Sequence, residues 1–417
     1  MPESATHRAI VAVWKFEAAK LIAGLTRRVR DVGLAEELAQ DALVTALEQW
    51  PDTGVPDNPG AWLMTVANRR AINLFHRTKL VERKHEQLGH ELEPDHAMDL
   101  DAMLDDPVGD DLLRLVFIAC HPVLSSEARV ALTLRLLGGL STEEIARAFL
   151  VPEPTIAQRI VRAKRILAEQ RVAFEVPRGD ELAGRLASVL EVIYLVFNEG
   201  YSASAGDDPM RPELCEDALR LGRVLAGLVP DEPEAHGLIA LMELHASRSP
   251  ARLDPSGRVV LLLEQDRGRW DQLLIRRGLA ALERAEELGG AHGPYALQAA
   301  ISACHVRAPV AADTDWERIA AIYGELLEIK PSPVVELNRA MAIAMARGPA
   351  AGLELLDTLA TQPSLASYHW LPSARADLLV KLGRLDEARA EFERAASLAG
   401  NARDRELLLG RAAELGS

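Results

Sequence analysis

The chain has few cysteines and no long apolar run. Its three cysteines, Cys120, Cys215 and Cys304, are far apart in 417 residues and none belongs to a C-x-x-C pair. We therefore predict neither a disulfide framework nor a zinc knuckle, and this cysteine usage suits a reducing cytoplasm. No stretch approaches about 18 uninterrupted apolar residues, so we expect neither membrane insertion nor a membrane partner. Phosphate-loop, nucleophile-elbow and zinc-protease signatures are also missing, so we expect no enzyme, catalytic residue, metal or cofactor.

The chain has fewer basic residues (47) than acidic ones (62), which gives a net charge of -15. This balance argues against a protein wrapped entirely in nucleic acid. The excess acid is uneven: residues 86–111 hold 10 acidic residues and no Lys or Arg, and without them residues 1–175 hold 21 basic and 16 acidic residues. Residues 176–417 hold 26 basic and 36 acidic residues. Any nucleic-acid contact is therefore expected before residue 176.

Two short helices joined by a tight turn are predicted between Ser141 and Leu167. Ser141 and Glu144 have the S-x-x-E spacing of a capping box, and Pro154 suits the first turn of the second helix. One face of that helix is apolar, and the other carries donors suited to phosphates and to base edges in a major groove. We predict that this face binds DNA through Gln158, Arg159, Arg162, Lys164 and Arg165. The residues alone also allow an ordinary helical hairpin with a solvated basic face.

Amphipathic helices are predicted at about His7–Arg30 and Ala35–Trp50. In the second helix we expect an apolar face turned to a core, consisting of Leu38, Ala42, Leu43, Ala46 and Leu47. Glu37, Gln40 and Asp41 form a polar group near one exposed edge, which taken alone is a solvated surface.

The stretch Pro51–Gly60 is predicted to be a loop, because it holds three prolines and two glycines. A third helix is expected from Ala61 to about Lys84. This helix mixes aromatic and basic side chains, a combination that suits stacking on unpaired bases beside phosphate contacts. It is also the composition of any half-buried helix.

Together these stretches resemble a bacterial sigma factor of the sigma-70 family, of the extracytoplasmic-function (ECF) type, as far as about Gln170. The resemblance implies two small helical domains on a flexible linker, which bind core RNA polymerase and promoter DNA. EELAQDAL resembles the segment that docks on the clamp helices of the polymerase, which places Glu37, Gln40 and Asp41 at that contact.

The resemblance also assigns the two DNA readers. NPGAWLMTVANRRAINLFHR is similar to the segment that melts and reads the -10 element, and Pro51–Gly60 would receive an unpaired base. LSTEEIA and VPEPTIAQRIVRAKRIL resemble the reader of the -35 element. The resemblance adds three residues to the candidate -35 contacts: Thr155, Ala157 and Val161. The candidate -10 contacts are Trp62, Arg69, Arg70, Asn73 and Arg77.

Four positions depart from the family pattern. Leu150 stands in the turn where Gly is common, and a left-handed Leu would cost about 1–2 kcal/mol, so we expect a locally different turn. Arg69 and Asn73 stand where Asn and Asp are frequent, and Ala157 replaces a longer polar side chain. These departures bear on the promoter sequence more than on binding, because phosphate contacts dominate affinity.

The acidic stretch Glu86–Asp111 lacks apolar periodicity and is predicted to be a flexible linker. Two interpretations of it stay open. It is either a plain tether or, threaded toward the active-site channel of the polymerase, an imitation of the nucleic-acid backbone that RNA displaces.

Helical patterns continue after Pro177 to the end of the chain. From His369 to about Ala402, small and aromatic residues occupy the positions of a tetratricopeptide unit of about 34 residues, namely Ala376, Ala388, Phe392 and Ala395. We therefore expect an all-α protein that ends in a partly tetratricopeptide-like solenoid. The five expected segments are sigma region 2 (1–85), an acidic linker (86–111), sigma region 4 (112–172), a helical subdomain (178–310) and the repeats (311–417).

Candidate motifs in this half are Asn198–Tyr201, the DRGRW stretch Asp266–Trp270 and two Cys-His pairs. We interpret each as structural, because none has a partner pattern. VFNEGYSAS, QDRGRWD and PSPVVELNRA resemble stretches of a sigma-factor subgroup with a tetratricopeptide-like extension. That resemblance implies a fused regulatory or interaction domain whose partner is a protein or a small ligand. The alternative function is a stand-alone helix-turn-helix regulator with a repeat-type sensor.

Overall fold

The computed structural model describes residues 5–86, 108–149, 151–178, 180–202, 210–255 and 257–415. Within these ranges the regular structure is helical, apart from isolated bridge positions such as the pair Leu253 and Val259, so the predicted all-α fold is confirmed. The described residues form eighteen α-helices: α1 Ala5–Val29, α2 Val32–Thr53, α3 Pro59–Glu86, α4 Val108–Ala119, α5 Ser126–Leu136, α6 Thr142–Phe149, α7 Glu153–Glu169, α8 Asp180–Tyr201, α9 Pro212–Leu228, α10 Pro233–Ala246, α11 Gln272–Glu287, α12 Pro294–Arg307, α13 Trp316–Ile329, α14 Pro333–Arg347, α15 Pro349–Leu359, α16 Trp370–Lys381, α17 Leu385–Leu398 and α18 Ala402–Glu414.

The chain divides into two compact units, Met1–Val192 and Ile193–Ser417, and the division falls inside α8. In the first unit, α1, α2 and α3 pack together around fully buried side chains that include Ile22, Leu25 and Leu63. Helices α5, α6 and α7 form a second group, and α4 packs against both α1 and α5. The first unit therefore holds two small helical groups in contact.

Helix α2 is longer than its sequence predicts. It continues through Pro51 to Thr53, so the connection to α3 is shorter than the predicted loop Pro51–Gly60. Pro51 lacks the N–H that would bond to the carbonyl of Leu47, but Leu47 is exposed, so water can satisfy that group. The helix ends at Gly54, whose positive φ of 82° suits glycine.

The predicted core face of α2 is wrong at one position. Leu38, Ala42 and Ala46 are buried and Leu43 is half-buried, whereas Leu47 is 37% exposed. Residues four apart on a helix share a face, and the face that carries Leu47 here is the solvent face.

The predicted acidic linker lies mainly outside the described residues. Helix α3 runs to Glu86 and α4 begins at Val108, so both ends of the expected segment 86–111 belong to helices. Residues 87–107 carry the rest of that prediction and are not among the described residues.

The second unit is built from helices that pack mostly on their neighbours in sequence, from α9 to α18. The predicted repeat over His369–Ala402 corresponds to α16 and α17, joined at Gly383 with φ 73°. The small and aromatic positions predicted for that repeat are all at most 1% exposed: Ala376, Ala388, Phe392 and Ala395. The partly tetratricopeptide-like solenoid is therefore confirmed.

Candidate nucleic-acid interface

Helices α6 and α7 form a helix-turn-helix whose first helix begins with the predicted capping box. The Ser141 N–H donates to Glu144 Oε2 (2.7 Å), and the Glu144 N–H donates to Ser141 Oγ (3.1 Å). After the turn, Pro154 lies in the first turn of α7, as predicted. Leu150, for which an unusual turn was expected, lies outside the described residues.

Helix α7 has one buried and one exposed face. Ile156, Ile160, Ala163 and Leu167 are buried against the rest of the group. Among the predicted DNA-binding residues of this helix, Gln158, Val161, Arg162 and Arg165 are exposed, and Thr155, Ala157, Arg159 and Lys164 are half-buried. Val161 is 66% exposed.

Lys164 has a partner on another helix, whereas Arg165 pairs with Glu169 on α7 itself (3.5 Å). It forms an ion pair with Glu36 on α2, and Arg135 Nε on α5 donates to Glu36 Oε1 (2.6 Å). Gln40 donates to the same carboxylate at 2.5 Å. Glu36 is only 3% exposed, so its charge is compensated by two cations and an amide. The structure thus places Lys164 in an internal ionic network, and its contact with DNA stays a prediction.

Helix α3 carries the predicted -10 reader. Arg69 and Asn73 are exposed, and Trp62 is half-buried with its ring edge-on to Trp50 at 5.2 Å. The side chain of Arg77 is outside the described part of the chain. Beside this surface, burial and the neighbouring Arg27 lower the pKa of Arg28, which donates to Asn68 on α3. The bond fixes α3 against α1.

Arg70 points to the neighbouring helix. Its guanidinium pairs with Asp41 (2.5 Å) and donates to Thr45 Oγ1 (2.9 Å), both on α2. A residue predicted to read DNA is therefore joined to a residue predicted to bind polymerase. This pair orients α3 relative to the exposed face of α2.

That exposed face of α2 extends beyond the predicted residues. Glu37 and Asp41 are exposed and Gln40 is half-buried, and at helical spacing they are followed by Val44 (49% exposed) and Leu47 (37% exposed). Sequence reasoning missed Val44 and assigned Leu47 to the core. The sequence of α2 has more apolar residues than one helix face can bury, and this excess could have indicated that some of them are exposed.

The candidate motifs of the second unit have structural roles. Arg267 of the DRGRW stretch donates to the backbone carbonyls of His305 and Ala308 at the end of α12, and Trp270 is 4% exposed. In the other motif, a Cβ on Gly200 would lie 2.6 Å from the backbone nitrogen of Cys215, so glycine permits α8 to approach α9 closely.

The cysteine–histidine neighbours do not form ligand clusters. Burial raises the pKa of Cys120 to about 11, and this thiol lies 3.3 Å from Thr133 Oγ1. Over the part of the chain that the structure describes, no group of three or more His, Cys, Asp or Glu side chains is placed to hold a metal ion. Among the described helices, none is both long and apolar enough to cross a bilayer.

Comparison with known proteins separates the chain into three matched segments. The family described as "Sigma-70 region 2" matches residues 17–80, and the family "Sigma-70, region 4" matches residues 114–167. The ECF RNA polymerase sigma factor SigK of Mycobacterium ulcerans (strain Agy99) is 31% identical over 152 residues, which cover 34% of this chain and 75% of that protein. The chain belongs to the ECF sigma factors of the sigma-70 family.

Another relative of this sigma factor is the "Probable ECF RNA polymerase sigma factor SigI" of Mycobacterium tuberculosis (strain ATCC 25618 / H37Rv). It is 25% identical over 170 residues, 41% of this chain and 58% of that protein.

The extension is shared with other proteins. Residues 185–286 match a "Family of unknown function (DUF6596)". "Uncharacterized protein R00370" of Rhizobium meliloti (strain 1021) is 44% identical over 380 residues, 91% of this sigma factor and 89% of that protein. Among solved structures, "Crystal Structure of the Yeast Tom70" covers 98% of this chain and 85% of that chain at 11% identity and a TM-score of 0.38, and we draw no argument from it.

Proposed function

We propose that this sigma factor binds core RNA polymerase and directs it to promoters, with α7 reading the -35 element and α3 melting and reading the -10 element. The observation that carries the proposal is the exposed polar face of α7, where Gln158 and Arg162 stand free on a helix whose opposite face is buried. A glutamine reads base edges and an arginine holds phosphate or guanine, so the face supplies both kinds of contact.

Docking on the polymerase is assigned to the exposed face of α2. Glu37, Gln40 and Asp41 supply the polar contacts, and the exposed Val44 and Leu47 supply apolar area beside them. An interface with an apolar centre and a polar rim has this composition. A simple operator-binding protein has no use for such a face.

The sigma factor itself performs no chemistry in this proposal. The polymerase supplies catalysis in the cytoplasm, and the sigma regions supply position and strand opening. We assign region 2 to residues 1–85, the linker to 86–111, region 4 to 112–172, and the extension to a helical subdomain (178–310) and repeats (311–417).

For the extension we propose a regulatory or interaction role that acts partly through α8. In the first unit, Arg185 donates to the carbonyl of Phe117 (2.9 Å), and Ser188 Oγ donates to the carbonyl of Cys120 (2.7 Å). These carbonyls lie at the end of α4, where a helix leaves acceptors unpaired. The start of the extension therefore supports region 4, and its own partner is a protein or a small ligand bound farther along.

Run-off transcription tests the sigma function. Core polymerase with the full chain should initiate at specific promoters, whereas core polymerase alone should not. A stand-alone helix-turn-helix regulator would instead bind duplex DNA without polymerase and leave core transcription unspecific. A folded chain that neither binds core polymerase nor directs initiation on any promoter would rule out the proposal.

A further inference from the structure

A cavity of about 720 Å³ lies inside the first unit, where the two sigma regions meet. Its wall combines the end of α1, the start of α2, α4, α7 and the segment 171–174 that follows α7. Cavities that bind small molecules have roughly 300–1,000 Å³, so the volume suits a ligand of nucleotide size.

Four cationic side chains line this cavity together with one carboxylate. Arg27 is paired with Asp111 (3.0 Å) and Lys164 with Glu36. The carboxylate, Asp31, accepts from the Leu34 N–H (2.8 Å) and so caps α2. The two remaining cations are Arg30 and Arg171.

Arg30 and Arg171 have no ion-pair partner among the described residues, and each comes from a different sigma region. They are also the non-glycine residues of the described chain that have positive φ, 55° for Arg30 and 47° for Arg171. Each stands just beyond the end of a helix, where glycine is the residue that takes this conformation without cost. Both exposed arginines therefore have a backbone conformation that costs a non-glycine residue about 1–2 kcal/mol.

A helix end by itself attracts a cation, because the terminal carbonyls carry partial negative charge. This explains either arginine singly. It does not explain why the two unpaired guanidiniums border one cavity together with Arg27 and Lys164. A ligand with several negative charges explains the convergence, since guanidinium groups bind phosphate through paired, charge-assisted hydrogen bonds.

The rest of the wall is apolar and includes Ile118, Leu167 and the half-buried Phe174. An apolar wall with one aromatic ring suits the base of a nucleotide, and the cations suit its phosphates. We propose that this cavity binds a polyphosphate anion, and that Arg30 and Arg171 hold its phosphates from the two sigma regions.

This site goes beyond the promoter-binding function and does not depend on it. Its walls come from both regions, so an occupied cavity ties them together. One wall residue, Lys164, is on the helix that carries the proposed -35 contacts.

Isothermal titration of the full chain, without polymerase or DNA, tests the proposal with pyrophosphate, ATP and adenosine as separate probes. The chain should bind pyrophosphate or ATP and should not bind adenosine. Arg30→Gln combined with Arg171→Gln should weaken binding by about tenfold or more for each guanidinium removed. Lys20→Gln combined with Arg178→Gln removes the same charge from exposed positions that do not line the cavity, and should bind as the wild type does.

The probes also distinguish the source of the ligand. Equal affinity for pyrophosphate and ATP would assign the site to the polyphosphate alone, whereas much tighter binding of ATP would assign the apolar wall to a base. Absence of binding by both anions would overturn the proposal. So would equal affinities of the cavity variant and the wild type, or an equal loss in the control variant.

Discussion

Lys164 on the second helix of the helix-turn-helix is paired with the buried carboxylate of Glu36 on α2. The pair joins region 4 to region 2 within the first unit, and Arg135 completes it from α5. Glu36 stands next to Glu37, which belongs to the proposed polymerase-docking face. Glu36 thus holds the two regions together. It lies beside the proposed polymerase-docking face, and its partner Lys164 belongs to the proposed -35 reader.

Glu36→Gln should release Lys164 and loosen this contact. The free energy of unfolding should fall by about 1–3 kcal/mol, because a buried hydrogen-bonded charge is lost from a network of cations. Affinity for duplex DNA should rise, and the slope of log K against log salt should steepen by about one as Lys164 becomes free for a phosphate. Denaturant unfolding and salt-dependent DNA titration measure the two effects.

Glu37→Gln is the matched control for that change, since it removes the same charge from an exposed neighbour. Its free energy of unfolding should change by less than about 0.5 kcal/mol. An unchanged salt slope in a folded Glu36→Gln protein would mean that Lys164 does not reach DNA even when released.

The exposed face of α7 should separate specificity from affinity. Gln158→Ala should change the preference among -35 sequences by about 1–3 kcal/mol, because a side chain that reads base edges distinguishes base pairs. Arg162→Ala should weaken binding to all duplexes and reduce the salt slope by about one if it meets phosphate. Competition titrations against a set of -35 variants measure both. If Gln158→Ala weakened binding to every duplex equally, the face of α7 that carries Gln158 would not be the one that reads the major groove.

Local signals predicted the local parts of this site. The S-x-x-E spacing predicted the cap that Ser141 and Glu144 form, and the apolar positions predicted the buried face of α7. These features depend on residues within about three helical turns of one another. The predicted end of α2 was wrong. The three prolines between residues 51 and 60 favoured a loop, but the helix tolerates Pro51 because Leu47 is exposed, and it continues as far as the cap at Gly54.

Contacts between distant segments could not be predicted in this way. No periodicity links Glu36 to Lys164, or Asp41 to Arg70, since each pair depends on how separate helices pack. Sequence patterns placed Lys164 correctly on the polar side of its helix. They could not show that region 2 supplies its partner, or that Arg30 and Arg171 border one cavity.

Replacing Gln40 and Asp41 together by alanine should weaken binding to core polymerase. The variant loses the exposed pair between Asp41 and Arg70, which contributes about 0–1 kcal/mol, and also the bond from Gln40 to the buried Glu36. The free energy of unfolding should therefore fall by about 1–3 kcal/mol, while the helical content of the folded variant should stay that of the wild type. Gln49→Ala on the same helix is the control, because Gln49 is exposed and lies on a different face from Gln40, Asp41 and Val44. Undiminished polymerase binding by the folded double variant would remove α2 from the docking surface.

The second unit should lose stability in mild acid. Burial, with Arg248 and Arg267 nearby, lowers the pKa of His305 to about 3, and burial also lowers the pKa of His245 well below its usual range. The unfolded chain then binds protons between about pH 6.5 and 3 that the folded chain does not, so stability falls as pH falls through this window. From pH 7.5 to 5.5 the loss should be about 1.4 kcal/mol for each histidine.

Hydrogen exchange in α10 and α12, corrected for the intrinsic pH dependence of exchange, measures this loss. His305→Gln should remove about half of the pH dependence. His292→Gln is the matched control, because the side chain of His292 is 81% exposed. Identical protection of the wild type at both pH values would contradict the prediction.

The last prediction concerns how the extension supports region 4. A chain cut after Arg171 loses Arg185 and Ser188, which bond to the carbonyls of Phe117 and Cys120 at the end of α4. Each lost hydrogen bond should destabilise region 4 by about 0.5–1.5 kcal/mol, so the short chain should direct transcription weakly. A chain that ends at Val192 keeps these side chains, together with Arg129 and its partner Glu191, and should recover part of the activity.

Run-off transcription on several promoters compares the two truncated chains with the full one. In the full chain, Arg185→Gln combined with Ser188→Ala should lower activity in the direction of the shorter truncation, whereas Glu191→Gln should have little effect because its side chain is 54% exposed. Higher activity after the cut at Arg171 would show that the extension restrains the sigma regions. Wild-type activity from both truncated chains would show that transcription does not require the contacts made by α8. The extension would then serve another partner.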